Sequence, residues 1–240
     1  MKGSRYAIIK LVESSNFVST INLLINDKKT RAKITEYDNW IPKSLQLDKE
    51  AELKTFLKYN FTPQLSSDIV EWWLHKDAKT PNWDLISTCT IDGKRGLLLV
   101  EAKAHYGELE TSPKRPPSTS DDSKLNHDKI DKAIKQANDA INEKVKGVAI
   151  SRDKCYQLSN RVAHAWWLAD NGIPVVLLYL GFRSCRDMED GGYTLFKNDE
   201  DWQSTFIKYA KLVGVDKLVG KKVDCGKSNF ITICKSLEFK

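Results

Sequence analysis

An apolar stretch runs from Gly96 to Ala104, and only Glu101 and Lys103 interrupt it. Side chains two positions apart on a β-strand point to the same face, so Glu101 and Lys103 would lie side by side. The apolar residues before them occupy both faces, which is typical of a buried strand at the centre of a sheet. Charges at the end of such a strand are unfavourable unless they are paired or bind a metal.

A second β-rich run precedes this strand, and Asp92-Gly93 separates the two. Asp-Gly favours a tight hairpin turn, so the pattern predicts two antiparallel strands. Asp84 lies at the start of the first strand, and antiparallel pairing returns Glu101 and Lys103 to that same end. The hairpin is therefore predicted to gather two carboxylates and one ammonium group at one point.

The remaining hydrophobic pattern predicts an α/β fold with a mixed central sheet and helices on both of its faces. Strands are predicted at Tyr6–Val12, Phe17–Ile25, Val175–Phe182 and Phe230–Cys234. Helices are predicted at Asp48–Leu57 with Asp48 as N-cap, Ser66–His75, Asn126–Lys146, Tyr156–Asn171 and Asp201–Leu212.

The length of 240 residues suits one large domain, or a core with an added N-terminal part. We predict an N-terminal elaboration at residues 1–60 and a core at residues 61–240. The elaboration could supply extra sheet, a specificity element or the surface of a homodimer. Residues 107–124 are rich in proline, serine and charge, so a mobile loop is predicted there. That loop either folds over a substrate or is an inert surface insertion.

The composition, with 41% hydrophobic and 29% charged residues, is typical of a globular protein that is not embedded in a membrane. Its apolar runs are far shorter than a membrane span, so no membrane partner is expected. The first residues lack the apolar segment of a signal peptide. The five cysteines are scattered, without the spacing of a zinc site. These features predict reduced thiols and a cytoplasmic location.

The charge is unevenly distributed along a chain whose net charge is +6. The segment from Trp202 to Lys240 contains eight lysines against three acidic residues. A basic segment favours a polyanionic partner such as nucleic acid, although many proteins are equally basic without one.

Two predicted helices carry polar stripes. The first includes Glu71, which is either solvated or functional. The second includes Gln157, Arg161 and His164, and we predict that this stripe faces the same cleft as Glu101. Arg161, and with it His164, would then bind nucleic acid, with Arg161 as a bidentate donor to phosphate. The alternative is that the stripe is a solvated helix face.

The Glu-x-Lys pattern by itself is common, since it also occurs at Glu52-Leu53-Lys54 and at Glu238-Phe239-Lys240. Only Glu101-Ala102-Lys103 ends an apolar strand with an acidic residue placed across a hairpin. A simple salt bridge at the end of a strand is the alternative to a functional site here.

With Asp84 followed by Glu101-Ala102-Lys103, the chain resembles the PD-(D/E)XK nuclease superfamily, over roughly residues 66–182. The resemblance implies a restriction-endonuclease-like core. It also implies that Asp84, Glu101 and the Ala102 carbonyl bind Mg²⁺ or Mn²⁺, and that Lys103 orients or activates the attacking water.

Two further residues match positions that only some members of the superfamily use. Glu71 matches a helix acid that joins the metal site, and Gln157 matches a glutamine that helps to hold the site or the substrate. The chain departs from the family pattern in placing Pro81 three positions before Asp84 and in a long insertion at residues 105–155. The strand expected before the hairpin would have to come from residues 1–25.

The expected function is that of a divalent-metal-dependent nuclease, with DNA as the expected substrate. Paired carboxylates hold hard cations such as Mg²⁺, and a nearby lysine stabilises negative charge that develops during phosphodiester hydrolysis. The alternatives are a non-catalytic nucleic-acid-binding protein on the same scaffold, and a structural protein with a buried Glu-Lys pair and no ligand.

Overall fold

A computed structural model of the chain describes residues 2–46, 51–75, 79–185, 188 and 191–239. In these residues the protein is an α/β structure with a mixed, curled central sheet flanked by helices, as the sequence predicts. The helices are α1 Gly3–Glu13, α2 Phe17–Ile25, α3 Leu53–Asn60, α4 Pro63–Trp73, α5 Asp121–Lys144, α6 Tyr156–Asp170 and α7 Asp199–Lys211. The strands are β1 Ala32–Lys33, β2 Trp40–Ile41, β3 Ala51–Glu52, β4 Asn82–Trp83, β5 Leu85–Ile91, β6 Lys94–Lys103, β7 Val175–Arg183, β8 Lys222–Asp224 and β9 Asn229–Glu238.

The central sheet has the strand order β1-β5-β6-β7-β9-β8, and β2 also pairs with β5. The β5–β6 pair is the predicted antiparallel hairpin around Asp92-Gly93. Strands β7 and β9 join β6 in parallel, whereas β8 runs antiparallel to β9. The apolar strand β6 therefore lies inside the sheet with a neighbour on each side, and a separate two-stranded sheet joins β3 to β4.

Two hydrophobic cores cover the two faces of this sheet. Helices α1 and α2 pack on one face, against side chains such as Leu98, Val100 and Leu178. Helices α3 to α7 pack on the other face, against side chains such as Leu97 and Leu99. Because β6 is apolar on both faces, each core takes alternate residues from it.

The prediction of strands at Tyr6–Val12 and Phe17–Ile25 is wrong, because both segments are helical. In α2 the buried side chains are Phe17, Ile21, Leu24 and Ile25, which recur at helical rather than strand spacing. The isoleucines and valines of these segments favour strands locally, but packing of one helical face against the sheet overrides that preference. The described residues 2–25 therefore supply no strand to the hairpin; β1 and β2 pair with β5 instead.

Several helix ends also differ from the prediction. Helix α4 begins at Pro63, where the hydroxyl of Thr62 accepts a hydrogen bond from the Leu65 amide at 3.1 Å. Helix α3 begins at Leu53, and the predicted N-cap Asp48 lies outside the described residues.

Helix α5 begins earlier than predicted and takes up the end of the predicted loop at residues 107–124. It starts at Asp121, five residues before Asn126, with Ser120 as its N-cap. Asp121 and Asp122 lie in its first turn, where negative charge is favourable. The irregular part of the loop is residues 109–120.

Within the described residues no single helix is long and apolar enough to cross a membrane, although α1 and α2, bent by 115°, pass that test as a pair. None of the five cysteines, all of which lie in the described ranges, forms a disulfide bond.

Candidate active site

Asp84 lies immediately before β5 and reaches the end of β6. The hairpin register pairs Leu85 with Val100, so Asp84 stands beside Glu101 and Ala102. Its Oδ2 atom accepts a hydrogen bond from the Ala102 amide at 2.8 Å. The hairpin thus brings Asp84 to the charged end of the strand, as the sequence indicates.

Glu101 and Lys103 are buried side by side at that end, with 2% and 5% of their surfaces exposed. The Lys103 Nζ atom lies 2.7 Å from Glu101 Oε1. It also donates a hydrogen bond to Gln157 Oε1, at 2.8 Å. The ammonium group is therefore fixed between a carboxylate from its own strand and an amide from α6.

Helix α6 contributes Arg161 one turn after Gln157. The Arg161 Nε atom donates to Glu101 Oε2 at 2.7 Å, and its guanidinium carbon lies 4.4 Å from the ring centre of Trp83. Gln157 and Arg161 therefore lie at the same end of β6 as Glu101, and the anion that Arg161 contacts is Glu101. Both oxygens of Glu101 are held by cations.

The pKa values of the two carboxylates are shifted in opposite directions by their surroundings. Burial alone would raise the pKa of Glu101, but Arg161 and Lys103 outweigh it and lower that pKa to about 2. Burial, together with repulsion from Glu101, raises the pKa of Asp84 to about 7. Asp84 thus carries the carboxylate whose negative charge is least compensated.

This difference predicts how the stability of the chain without metal depends on pH. Between pH 3.8, the ordinary pKa of Asp84, and about pH 7, Asp84 holds a proton in the folded chain but not in the unfolded chain. The contribution of Asp84 to stability therefore falls as the pH rises through this range. Burial lowers the pKa of His164 from its ordinary value of 6.5 to about 3. Between these pH values the unfolded chain binds a proton that folded His164 does not, so the contribution of His164 to stability rises with pH. We therefore expect the stability of Asp84→Asn, relative to that of the parent chain, to increase as the pH rises from about 5 to about 8.

The measurement is the melting temperature of the two chains in EDTA across this pH range. Comparing them cancels the effect of His164, which both chains retain. A constant difference in melting temperature would show that the pKa of Asp84 is not raised.

Two predicted site residues lie elsewhere. Glu71 is exposed on α4 and lines a surface pocket with Lys58 and Lys129, away from Asp84 and Glu101. His164 is fully buried, with its ring 4.3 Å from that of Trp73. It is therefore a core residue that a nucleic acid cannot reach in this structure.

Two aromatic neighbours of the site were not among the residues predicted from the sequence. Trp83 provides the ring under Arg161. Tyr179 on β7 is paired in register with Glu101. Burial raises the Tyr179 pKa well above its usual value, and its hydroxyl has no partner among the described residues. The Tyr179 hydroxyl is a polar group among the apolar residues of β7, and this much is visible in the sequence. Its position beside Glu101 follows only from the parallel pairing of β6 with β7.

The possible protein ligands of a metal are few. Among the described residues, no three His, Cys, Asp or Glu side chains come together as a metal cluster. Asp84 and Glu101 are two carboxylates, and the Ala102 carbonyl belongs to the same strand end. These oxygen donors suit Mg²⁺ or Mn²⁺, which keep several water ligands. The charge on Asp84 is only partly compensated and fits a cation, whereas Glu101 would have to give up one of its two ion pairs to bind one.

Comparison with protein-family models, with curated proteins and with solved structures found no match to this chain.

Proposed function

We propose that this chain is a divalent-metal-dependent nuclease that hydrolyses phosphodiester bonds, with DNA as the expected substrate. The observation that carries the proposal is the meeting of three separate segments at one end of β6. Lys103 is hydrogen-bonded to Glu101 at 2.7 Å and to Gln157 at 2.8 Å, and Asp84 accepts a hydrogen bond from the intervening Ala102 amide at 2.8 Å. A site assembled from distant parts of the chain is more specific than the short sequence pattern alone.

We also propose that the core is restriction-endonuclease-like. Helix α4, the β5–β6 hairpin, helix α6 and strand β7 follow one another in the order that the resemblance implied, with α5 inserted before α6. The hairpin and β7 are neighbours in one sheet. This order of elements supports the proposal of a restriction-endonuclease-like core.

In the proposed site, Asp84, Glu101 and the Ala102 carbonyl would hold Mg²⁺ or Mn²⁺. Such a cation, when bound, polarises a phosphate and lowers the pKa of water. Asp84 must be ionised to serve as a ligand, so we expect metal affinity to rise as the pH passes about 7.

Lys103 would orient the attacking water and stabilise negative charge on the phosphate. Its hydrogen bonds to Glu101 and Gln157 hold the ammonium group in one position before the substrate arrives. A donor that is already in place costs little reorganisation during the reaction. Gln157 is accordingly a positioning residue that acts through Lys103.

Arg161 would have two roles. Without metal it neutralises Glu101, which is otherwise a buried charge. A cation that draws Glu101 towards Asp84 would leave the guanidinium available to a phosphate as a bidentate donor. The first contact is present in the structure, and the second is part of the proposal.

The alternative is a non-catalytic nucleic-acid-binding protein. The observation that favours it is that Glu101 already has both oxygens paired, by Lys103 and by Arg161, so this carboxylate needs no metal. The charge on Asp84, which Lys103 and Arg161 compensate only in part, favours the nuclease instead.

A cleavage assay tests the proposal. Labelled single-stranded DNA, duplex DNA and RNA are incubated with the chain and Mn²⁺ or Mg²⁺, beside an EDTA control and the Lys103→Met variant. We expect metal-dependent cleavage that Lys103→Met lacks. Binding of nucleic acid without cleavage in either metal would favour the alternative.

A further inference from the structure

A cavity of about 520 Å³ lies next to the proposed active site. Helix α4, the segment before β4, the irregular loop at residues 109–120, and helices α5 and α6 enclose it. Its polar lining includes Lys79, Lys114, Arg115, Asp122, Tyr156 and Asn160. Its volume lies in the usual range of small-molecule sites.

Helix α6 links the cavity to the site. Tyr156 and Asn160 line the cavity four residues apart, so they form one stripe of the helix. Gln157 and Arg161 form the adjacent stripe and contact Lys103 and Glu101. A ligand in the cavity would therefore contact the same turns of α6 that hold Lys103 and Glu101.

The loop that closes the cavity is bound to the start of α6. The carbonyl of Thr111 accepts a hydrogen bond from the Cys155 amide at 3.0 Å, and that of Ser112 accepts one from the Tyr156 amide at 3.0 Å. The Lys114 amide donates to the Arg152 carbonyl at 2.8 Å. These backbone contacts preform the cavity wall that carries Lys114.

The cavity is rich in positive charge. Within the described ranges, Lys79, Lys114 and Arg115 have no carboxylate within 4.0 Å, while Asp122 is 3.6 Å from His75. Burial and the neighbouring Arg152 lower the pKa of Lys114. An anion would relieve this repulsion, and a phosphate group matches cations of this kind.

Asn160 provides a second, independent indication of a ligand. Only 6% of its surface is exposed, and among the described residues its Oδ1 atom has no hydrogen-bond donor. A buried acceptor without a donor costs free energy. A phosphate dianion offers no donor, whereas the amino and imino groups of a nucleobase do.

We propose that this cavity holds one unpaired nucleotide of the nucleic-acid strand, with its phosphate at Lys114 and Arg115 and its base at Asn160. The inference rests on the proposed function and narrows the substrate to nucleic acid with a single-stranded segment or an unpaired end. A base must leave its stack to enter such a cavity, which is least costly in a single strand.

The test is binding of a fluorescent single strand in EDTA, where no cleavage occurs. We expect Lys114→Gln combined with Arg115→Gln to weaken binding about tenfold and to make the salt dependence shallower by about 1.4 in slope. The matched control is Lys28→Gln combined with Lys29→Gln, which removes two cations from a different surface cavity. Equal losses in both double variants would overturn the inference.

The base contact is tested with an abasic strand of the same length. The parent chain should prefer the intact strand, and Asn160→Leu should remove that preference. Equal binding of both strands by the parent would overturn the assignment. A nucleoside monophosphate that displaces the strand at equal concentration would identify a free nucleotide as the ligand instead, and failure to displace it supports a strand.

The outcomes separate the two proposals. A parent chain that cleaves in Mn²⁺ while the binding pattern fails would overturn only the cavity assignment. A parent chain that never cleaves while the binding pattern holds would overturn only the nuclease assignment.

Discussion

Glu101→Gln is expected to abolish metal-dependent cleavage and to lower the free energy of unfolding by about 3–5 kcal/mol. The substitution removes a proposed metal ligand and the anion that pairs with Lys103 and Arg161 at 2.7 Å. The buried cations Lys103 and Arg161 would then have only the Asp84 carboxylate as a neighbouring negative charge. The measurements are cleavage of labelled DNA in Mn²⁺ and chemical unfolding in EDTA.

The chain contains a matched control in its other internal Glu-x-Lys pair. Glu52 lies 3.3 Å from Lys54, with side chains that are more exposed than the buried pair. Glu52→Gln should leave cleavage intact and change stability by no more than about 1 kcal/mol. A Glu101→Gln chain as stable and as active as Glu52→Gln would refute the assignment of Glu101.

Lys103→Met is expected to reduce cleavage by about 10²–10⁴-fold while Mn²⁺ still binds. Methionine retains an apolar chain of similar length but has no ammonium group to orient water. Arg161 still neutralises Glu101 in this variant, so the carboxylate remains ionised for the metal. Single-turnover cleavage and a Mn²⁺ titration measure the two properties separately.

Lys54→Met, from the second pair, is the corresponding control and should cleave like the parent chain. Loss of Mn²⁺ binding together with cleavage in Lys103→Met would show that Lys103 only supports the metal site. Undiminished cleavage would remove Lys103 from the mechanism.

The end of the β5–β6 hairpin could be predicted because its signals are local. Asp92-Gly93 sets the turn, and the alternation of faces along β6 places Glu101 beside Lys103. The spacing of Gln157 and Arg161 on α6 also follows from helical geometry, and both contact the charged pair. Residue spacing within one element therefore predicts which residues are neighbours on β6 and on α6, whereas the contact between the two elements depends on their packing.

Other features depend on tertiary packing and were not predictable in the same way. The segments that form α1 and α2 are rich in β-branched residues, but their helical faces cover the sheet. The polar stripe of α6 extends to His164, yet the tryptophans of α4 enclose that ring. Glu71 shares a helix with those tryptophans but points to another pocket. The spacing along one helix cannot show which side of it another helix will cover.

The contact of Arg161 with Glu101 has a physical reason that also could not be read from spacing. Glu101 is buried at the end of an apolar strand, and Lys103 occupies only one of its oxygens. A second cation lowers the cost of burying the carboxylate. The proposed metal would compete with Arg161 for the same oxygen.

The central claim is that Asp84 and Glu101 form a divalent-metal site, and Mn²⁺ binding followed by electron paramagnetic resonance tests it most directly. Above about pH 7, where Asp84 is ionised, we predict saturable Mn²⁺ binding that Mg²⁺ displaces. Asp84→Asn should lose this binding, and Glu71→Gln, on the exposed face of α4, should retain it. No saturable binding by the parent chain, or equal binding by Asp84→Asn, would contradict the account.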